Sequence, residues 1–488
     1  MSTTTENDLV VEPLAAFASL PDWLSAGMDA QRVAASVVRH VPELNQARLQ
    51  LLSCTPERLR AKGGEWLARY TLEIAENGGA PRPVVLVGNL YGPSQQLPPD
   101  VTQADGLPFG APGWRCVLRD LRLVLWSEES DQALPALPTL VDPAAAEQLL
   151  APILHRAGYR DATITSCEPV VVRYKPGSRC TVVVHLRYDQ HADGAAAPSP
   201  VVLKTHQGDK GEVAWAAMTA LWQRPQGWRH AVTLAEPLGY LPEERILVQG
   251  PVPEDRTLKE LAREAIGAGD PEMLETLKGE LARTARALAA LHGSGVSYGR
   301  TATLQEEISE VDEVVNRLSL SVPELAAAAR PLLRQLVTRS ESEPPDPIVP
   351  AHHDFRPAQV LLAGGSVGFI DFDGACMAEP ALDLGRFRAK LRDIGVSTLV
   401  FGEHPASDDQ VESNLRLLDE LCEHFVSCYQ DHADVSTNRV LLWESCDLMT
   451  TMLHAWTKVR LARVQPRLAL LTHQLRRSVE RSPADVRP

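Results

Sequence analysis

Four oxygen-bearing side chains crowd one short stretch of the chain. In HHDFRPAQVLLAGGSVGFIDFDGACMAEPALDLGRF, residues 352 to 387, Asp354 and Gln359 precede one apolar run, and Asp371 and Asp373 close the next. The runs VLL and VGFID read as strands, and Gly364-Gly365 between them is a hairpin signal. A turn of the two glycines alone sets Gln359 opposite Ile370, while a turn of Gly364 to Ser366 sets it opposite Asp371. Either register gathers Asp354, Gln359, Asp371 and Asp373 at one end of the hairpin. Such oxygens repel one another unless something positive intervenes. Hard oxygen ligands in partial number suit Mg2+, which keeps waters and completes its shell from phosphate.

The elements that must position a phosphate lie upstream. VVVRY and CTVVVHLRY are β-branched runs separated by Lys175-Pro176-Gly177-Ser178-Arg179, a tight turn between antiparallel strands. A third run, PVVLKTH, carries Lys204. GDKGEVAWAAMTALW then reads as a helix whose Asp209 and Glu212 are spaced as in a capping box. Further on, Asp270-Pro271 is a cap followed by proline at the first helical position. Leu274, Leu277, Leu281, Ala285, Leu288 and Leu291 follow at helical spacing, and Gly293 ends the run. His292 reads as structural, favourably placed at the helix C-terminus. Val411 to Arg477 is similarly helical, with Trp443 and Trp456 as core residues.

HxDxxxxN, a strand pair with IDFD, and then PxxDLxxF resemble the catalytic core of the aminoglycoside phosphotransferase/choline kinase-type small-molecule kinases. RYKPGSRC, VLK and ILVQGPVPEDRTL resemble that family's phosphate-loop hairpin, lysine strand and hinge. The likeness implies an α+β, protein-kinase-like two-lobed fold, with a β-rich N-lobe and a helical C-lobe, using ATP and Mg2+. It implies that Asp354 orients or accepts the proton of the substrate hydroxyl and that Asp371 binds the Mg2+. Gln359 and Asp373 are further metal candidates. Lys204 would hold the α/β phosphates, with Glu212 as its candidate partner, and Gly177 and Ser178 would offer backbone N–H groups or a hydroxyl. Val248, Gln249 and Gly250 stand where relatives grip adenine, and Asp383 reads as a cap or loop brace. Three positions depart from the pattern: Gln359 replaces Asn, His353 fills a slot usually held by Gly, and the phosphate loop has a single glycine.

The chain has 488 residues, enough for several domains with ample cores. The division expected is a flexible tail over 1–20, an additional N-terminal α/β module over 21–140, the N-lobe over 141–250 and the C-lobe over 251–488. LLSCTPERLRAKGGEWLARY resembles TSCEPVVVRYKPGSRCTVVV, with Cys54 on Cys167, Arg60 on Arg173 and Lys62 on Lys175. Pro83 then falls on Pro200, which puts Val87 against Lys204. The module therefore reads either as a degenerate copy of the N-lobe hairpins or as a second meander of similar composition. Gly92 to Gly113 reads as a long loop.

A net charge of −15 argues against nonspecific nucleic-acid or anionic-membrane binding. No apolar run approaches the ~18 residues of a membrane span. The eight cysteines are scattered without a CxxC pair, as expected of a reducing cytoplasm. The partner expected is a small molecule bearing a hydroxyl, of aminoglycoside, amino alcohol or sugar type; oligomeric state is not legible. Acids after Asp383, among them Glu403, Glu412, Glu420, Glu444 and Asp447, would suit a cationic acceptor. Two rivals stand beside this reading. One is a pseudokinase, motivated by Gln359. The other is a protein kinase, disfavoured by the short interval from Asp373 to Asp383.

Overall fold

The computed structural model describes residues 20–62, 65–76, 79–98, 107–111, 113–127, 134–175, 177–189, 196–224, 230–399 and 408–458, with isolated positions between 467 and 474. The tail up to residue 19, the acid Glu403 and the middle of the Gly92 to Gly113 loop lie outside the described residues. The chain divides into two compact units. One comprises Met1–Ser130, Gln305–Ser342 and Ser445–Pro488; the other comprises Asp131–Leu304 and Glu343–Glu444. Residues 305–342 and 445–488, placed in the C-lobe by the sequence, group with the N-terminal residues in this division.

In the first unit, Asp29 caps helix α1 (Ala30–His40) by accepting from the N–H groups of Gln31 and Arg32. A five-stranded antiparallel sheet follows: β1 (Leu49–Lys62), β2 (Glu65–Glu76), β3 (Arg82–Leu90), β4 (Arg115–Leu118) and β5 (Leu123–Ser127), in the order β1-β2-β3-β5-β4. Every second residue of β2, from Trp66 through Ala68, Tyr70 and Leu72 to Ile74, is buried, as the pleat requires.

The second unit opens in the same way. Helix α2 (Pro143–Arg156) precedes β6 (Thr163–Lys175), β7 (Arg179–Asp189) and β8 (Val201–His206). After helix α3 (Lys210–Trp222), β9 (Pro237–Leu241) and β10 (Ile246–Gln249) complete a sheet in the order β9-β10-β8-β7-β6. The strand path is that of the first sheet. Its core joins Cys180, Val182, Val184 and Leu203 to Leu150 and Ile153 of α2.

Local details of the two sheets also agree. Leu118 pairs with Leu123 and Leu241 with Ile246, and each closes a turn ending on an arginine in the left-handed region, Arg122 at φ 52° and Arg245 at φ 54°. Lys62 pairs with Glu65 across the first hairpin and Lys175 with Arg179 across its counterpart. Leu67 then pairs with Asn89, and Thr181 with Lys204. Asn89, not Val87, therefore stands at the counterpart of Lys204, and Glu65 stands at that of Arg179. The alignment on prolines misplaces the third strand because Pro83 lies inside β3, opposite Glu73, whereas Pro200 precedes β8.

The remainder of the second unit is mainly helical. Helix α4 (Pro271–His292) begins at Asp270, whose side chain accepts from Glu272 N–H, and stops at Gly293. A hairpin of β11 (Val360–Ala363) and β12 (Ser366–Phe369) precedes α5 (Ala381–Leu399), α6 (Asp408–Gln430) and α7 (Thr437–Thr457), of which the residues up to Glu444 belong to this unit. Ala363 pairs with Ser366, so the turn is the two-glycine form, with Gly364 at φ 52° and Gly365 at φ 82°. The capping box at Asp209 and Glu212 does not form. Asp209 sits at ψ 1° rather than extended, and its side chain makes no cap bond. The architecture is α+β. Among the described residues, which include all eight cysteines, no disulfide forms, and no helix is long and apolar enough to cross a membrane.

Candidate active site

The two-glycine register sets Gln359 beside Ile370, whose N–H donates to the Gln359 carbonyl at 3.1 Å. That pairing carries the next residue, Asp371, to the Gln359 side chain. Gln359 Nε2 donates to Asp371 Oδ2 at 3.0 Å and to Asp354 Oδ2 at 3.4 Å. Gln359 Oε1 accepts from Arg356 Nε at 2.8 Å, and Arg356 also pairs with Asp354 at 3.1 Å. The hairpin therefore joins both aspartates through one amide. Asp354 keeps 46% of its side-chain surface exposed against 14% for Asp371, so Asp354 is the one a substrate can reach.

Lys204 on β8 supplies the positive charge the cluster requires. Its Nζ lies 2.9 Å from Asp371 Oδ1 and 3.5 Å from Asp373 Oδ1. Two residues on, His206 shares that face of the strand and meets Asp373 Oδ2 at 2.8 Å. Burial alone would raise the Asp371 carboxyl, but the charge and hydrogen bond of Lys204 outweigh it and hold that group well below the usual carboxylate range. Burial likewise penalises the Lys204 ammonium, yet Asp373 and Asp371 push its pKa up. Both members of the pair are fixed in their charged forms.

The loop bearing Asp354 is braced from behind. Asp383, at the start of α5 and fully buried, accepts the N–H groups of His352 at 2.7 Å and His353 at 2.8 Å. His292 meets the same carboxylate at 3.2 Å and Tyr429 Oη at 2.8 Å. Burial would raise the Asp383 carboxyl, but the bond and charge of His292 lower it overall. His292 thus braces the loop through Asp383 as well as ending its helix. His352 Nε2 lies 2.9 Å from the Ile370 carbonyl, tying the loop to the hairpin's far strand.

Other expected residues fall differently. Glu212 is exposed on the first turn of α3 and forms no ion pair with Lys204, because Asp371 and Asp373 take the ammonium. Gly177 adopts φ 65° with open space where a Cβ would stand. The N–H of Ser178 is spent on the Lys175 carbonyl at 3.0 Å, which leaves its hydroxyl. Val248 and Gln249 are buried strand residues of β10, and the Gly250 N–H donates to the Glu236 carbonyl at 2.8 Å. Glu444 contributes nothing to an acidic surface: it is fully buried and accepts from Arg388 and Arg392. Asp447 is also buried.

Three residues belong to the cluster without having been singled out from sequence for it. They are Arg179, 3.4 Å from Asp373 and 3.9 Å from Asp371, together with His206 and Arg356. Strand alternation from Lys204 would have found His206, and pairing across the hairpin turn would have found Arg179.

Comparison with known proteins supplies the context. Residues 186–403 match the phosphotransferase enzyme family (APH). No curated protein matches the chain. Among solved structures, a glucosamine kinase in complex with glucosamine, ADP and inorganic phosphate aligns with a TM-score of 0.50 at 14% identity, covering 87% of this chain and 96% of that one. A choline/ethanolamine kinase family protein from Mesorhizobium loti aligns with a TM-score of 0.43 at 17% identity, over 70% of this chain and 95% of that one. The GDP complex of a mutant aminoglycoside 2'-phosphotransferase-IIIa gives 0.42 at 13% identity, over 68% and 98%. The fold is shared with the glucosamine kinase, and the stretch that matches the phosphotransferase enzyme family, residues 186–403, contains Lys204, Asp354, Gln359 and Asp371.

Proposed function

We propose that the second unit transfers the γ-phosphate of ATP to a hydroxyl of a small molecule, of aminoglycoside, amino alcohol or sugar type. The observation that carries this reading is the continuous chain from exposed Asp354 through Gln359 to buried Asp371 and on to Lys204. Asp354 lies where it can accept or orient an acceptor hydroxyl proton. Phosphoryl transfer passes through a loose transition state with little need for a strong base and depends mainly on positioning and charge. Lys204 holds the nucleotide phosphates.

The donor set fits Mg2+. Asp371, kept ionised by Lys204, and Asp373 offer hard carboxylate oxygens, whereas Gln359 turns its amide nitrogen to Asp371 and gives its oxygen to Arg356, so it positions the aspartate rather than offering a ligand. Among the described residues no three His, Cys, Asp or Glu side chains gather closely enough to hold a metal ion, so an ion held by Asp371 and Asp373 would have to complete its shell from phosphate and water. Bound there, Mg2+ would neutralise charge on the terminal phosphates.

The test is nucleotide consumption by the full chain with Mg2+ across aminoglycosides, sugars and amino alcohols. Consumption that depends on one acceptor class supports the reading. Nucleotide-dependent thermal stabilisation with no turnover for any acceptor would favour the pseudokinase instead.

A further inference from the structure

We propose that Arg173 and Arg179 clamp the terminal phosphate of a nucleoside triphosphate, a role that rests on the phosphotransferase reading above. Directly paired residues of a sheet share a face. Arg179 pairs with Lys175 on one side and His206 on the other, and Thr181 pairs with Arg173 and Lys204. The alternate residues Cys180, Val182 and Val184 are buried in the core. Arg173, Lys175, Arg179, Lys204 and His206 therefore lie on the opposite face, the one from which Lys204 and His206 meet Asp371 and Asp373.

Arg179 reaches both of those aspartates with one guanidinium nitrogen, while its Nε is buried and, among the described residues, has no hydrogen-bond partner. Arg173 is partly exposed. It pairs with Thr181, the direct neighbour of Lys204 across the sheet, and feels the charges of Arg179, Asp371, Arg356 and Asp354. The permanent cations Arg173, Arg179, Lys204 and Arg356 outnumber the carboxylates Asp354, Asp371 and Asp373, which leaves the cluster short of an anion.

The turn itself offers little else. It has one glycine, and the Ser178 N–H is already used. Guanidinium forks match phosphate oxygens in pairs and can supply what a glycine-rich backbone cradle otherwise would. The first unit provides an internal contrast. Its sheet keeps Arg60 at the counterpart of Arg173 but carries Glu65 and Asn89 at those of Arg179 and Lys204, and these two hydrogen-bond to each other at 2.8 Å. There, the paired cations have been replaced by a neutral amide and an acid.

The test is calorimetric titration of the full chain with Mg2+ plus either ADP or a non-hydrolysable ATP analogue. In an Arg173→Gln, Arg179→Gln double variant the analogue should bind at least ~10-fold more weakly, with ADP affinity held within about threefold, as for lost charge-assisted contacts to one phosphate. Arg179→Lys, which keeps the charge and loses the fork, should fall between. Arg173→Gln alone alters a partly exposed side chain, so its reading survives if the double variant fails to fold; it should weaken the analogue more than ADP. Equal weakening for both nucleotides, or none, overturns the clamp while leaving the phosphotransferase reading intact. A wild-type chain that binds neither nucleotide overturns both.

Discussion

Asp383 accepts the backbone N–H of His353 at 2.8 Å, and the residue it holds sits at φ 71°. A side chain bearing a Cβ enters that left-handed region at a cost of about 1–2 kcal/mol. The same carboxylate holds the His352 N–H, and Arg386 donates to His353 from the other side. The loop that carries Asp354 is therefore kept in a conformation its sequence resists by a buried charge and its hydrogen bonds. Strain of this kind, over-determined by its surroundings, is common where geometry matters to chemistry.

Replacing His353 by alanine and by glycine separates strain from contact. Both variants lose the Arg386 contact to the imidazole and keep its bond to the backbone carbonyl, but only glycine relieves the backbone. His353→Gly should therefore be more stable than His353→Ala by about 1 kcal/mol, after its larger unfolded-state entropy is counted. Denaturant midpoints of the two variants measure this. Equal stabilities, or alanine above glycine, would mean the loop is not strained at this residue.

Asp354→Asn preserves shape and removes the negative charge beside Arg356. Turnover should fall by at least ~100-fold, the range of a lost general base, with nucleotide affinity changed only severalfold. Steady-state rates together with nucleotide titration check both halves. Activity equal to wild type would remove Asp354 from the chemistry.

The hairpin is the part most legible in sequence, because two adjacent glycines mark the turn and narrow it to two registers, both of which gather Asp354, Gln359, Asp371 and Asp373 at one end. The structure selects the two-residue turn and with it the Gln359–Ile370 register. The long helix from Pro271 is legible for a similar reason: cap, proline, periodic leucines and glycine all act locally. Arg179 is not legible alone. A charged residue beside a surface turn looks the same whether its face of the sheet meets water or Asp371 and Asp373, and only the packing of the sheet decides. The Glu212 reading fails likewise, because two aspartates far along the chain compete for Lys204. The counterpart of Lys204 in the first sheet is misread by two residues, since prolines inside and outside a strand align by letter and not by hydrogen bonding.

Lys204→Met should destabilise the fold as well as weaken nucleotide binding. The substitution leaves Asp371 and Asp373 facing one another at low exposure, with Arg179 and His206 as their remaining partners. Removing one member of a buried ion pair costs about 3–5 kcal/mol, because the charge left behind is uncompensated. Adding Asp373→Asn to Lys204→Met should return part of that loss, a coupling a double-mutant cycle reads directly. Additive losses would show that Lys204 does not serve these carboxylates.

Acid should unfold the second unit through Asp371 and Asp383. Each is held below its ordinary pKa despite burial, Asp371 by Lys204 and Asp383 by His292. A depressed folded pKa adds stability above the unfolded value of about 4 and withdraws it as pH falls toward the folded pKa. The denaturant midpoint should therefore drop between about pH 5 and about pH 2. Asp371→Asn, which cannot titrate, should start lower at neutral pH and lose less across that interval. Because Asp383 continues to titrate in that variant, the slope should flatten without vanishing. A slope unchanged by Asp371→Asn would mean that Lys204 does not hold Asp371 ionised, and the charge pairing at the centre of the site would have to be redrawn.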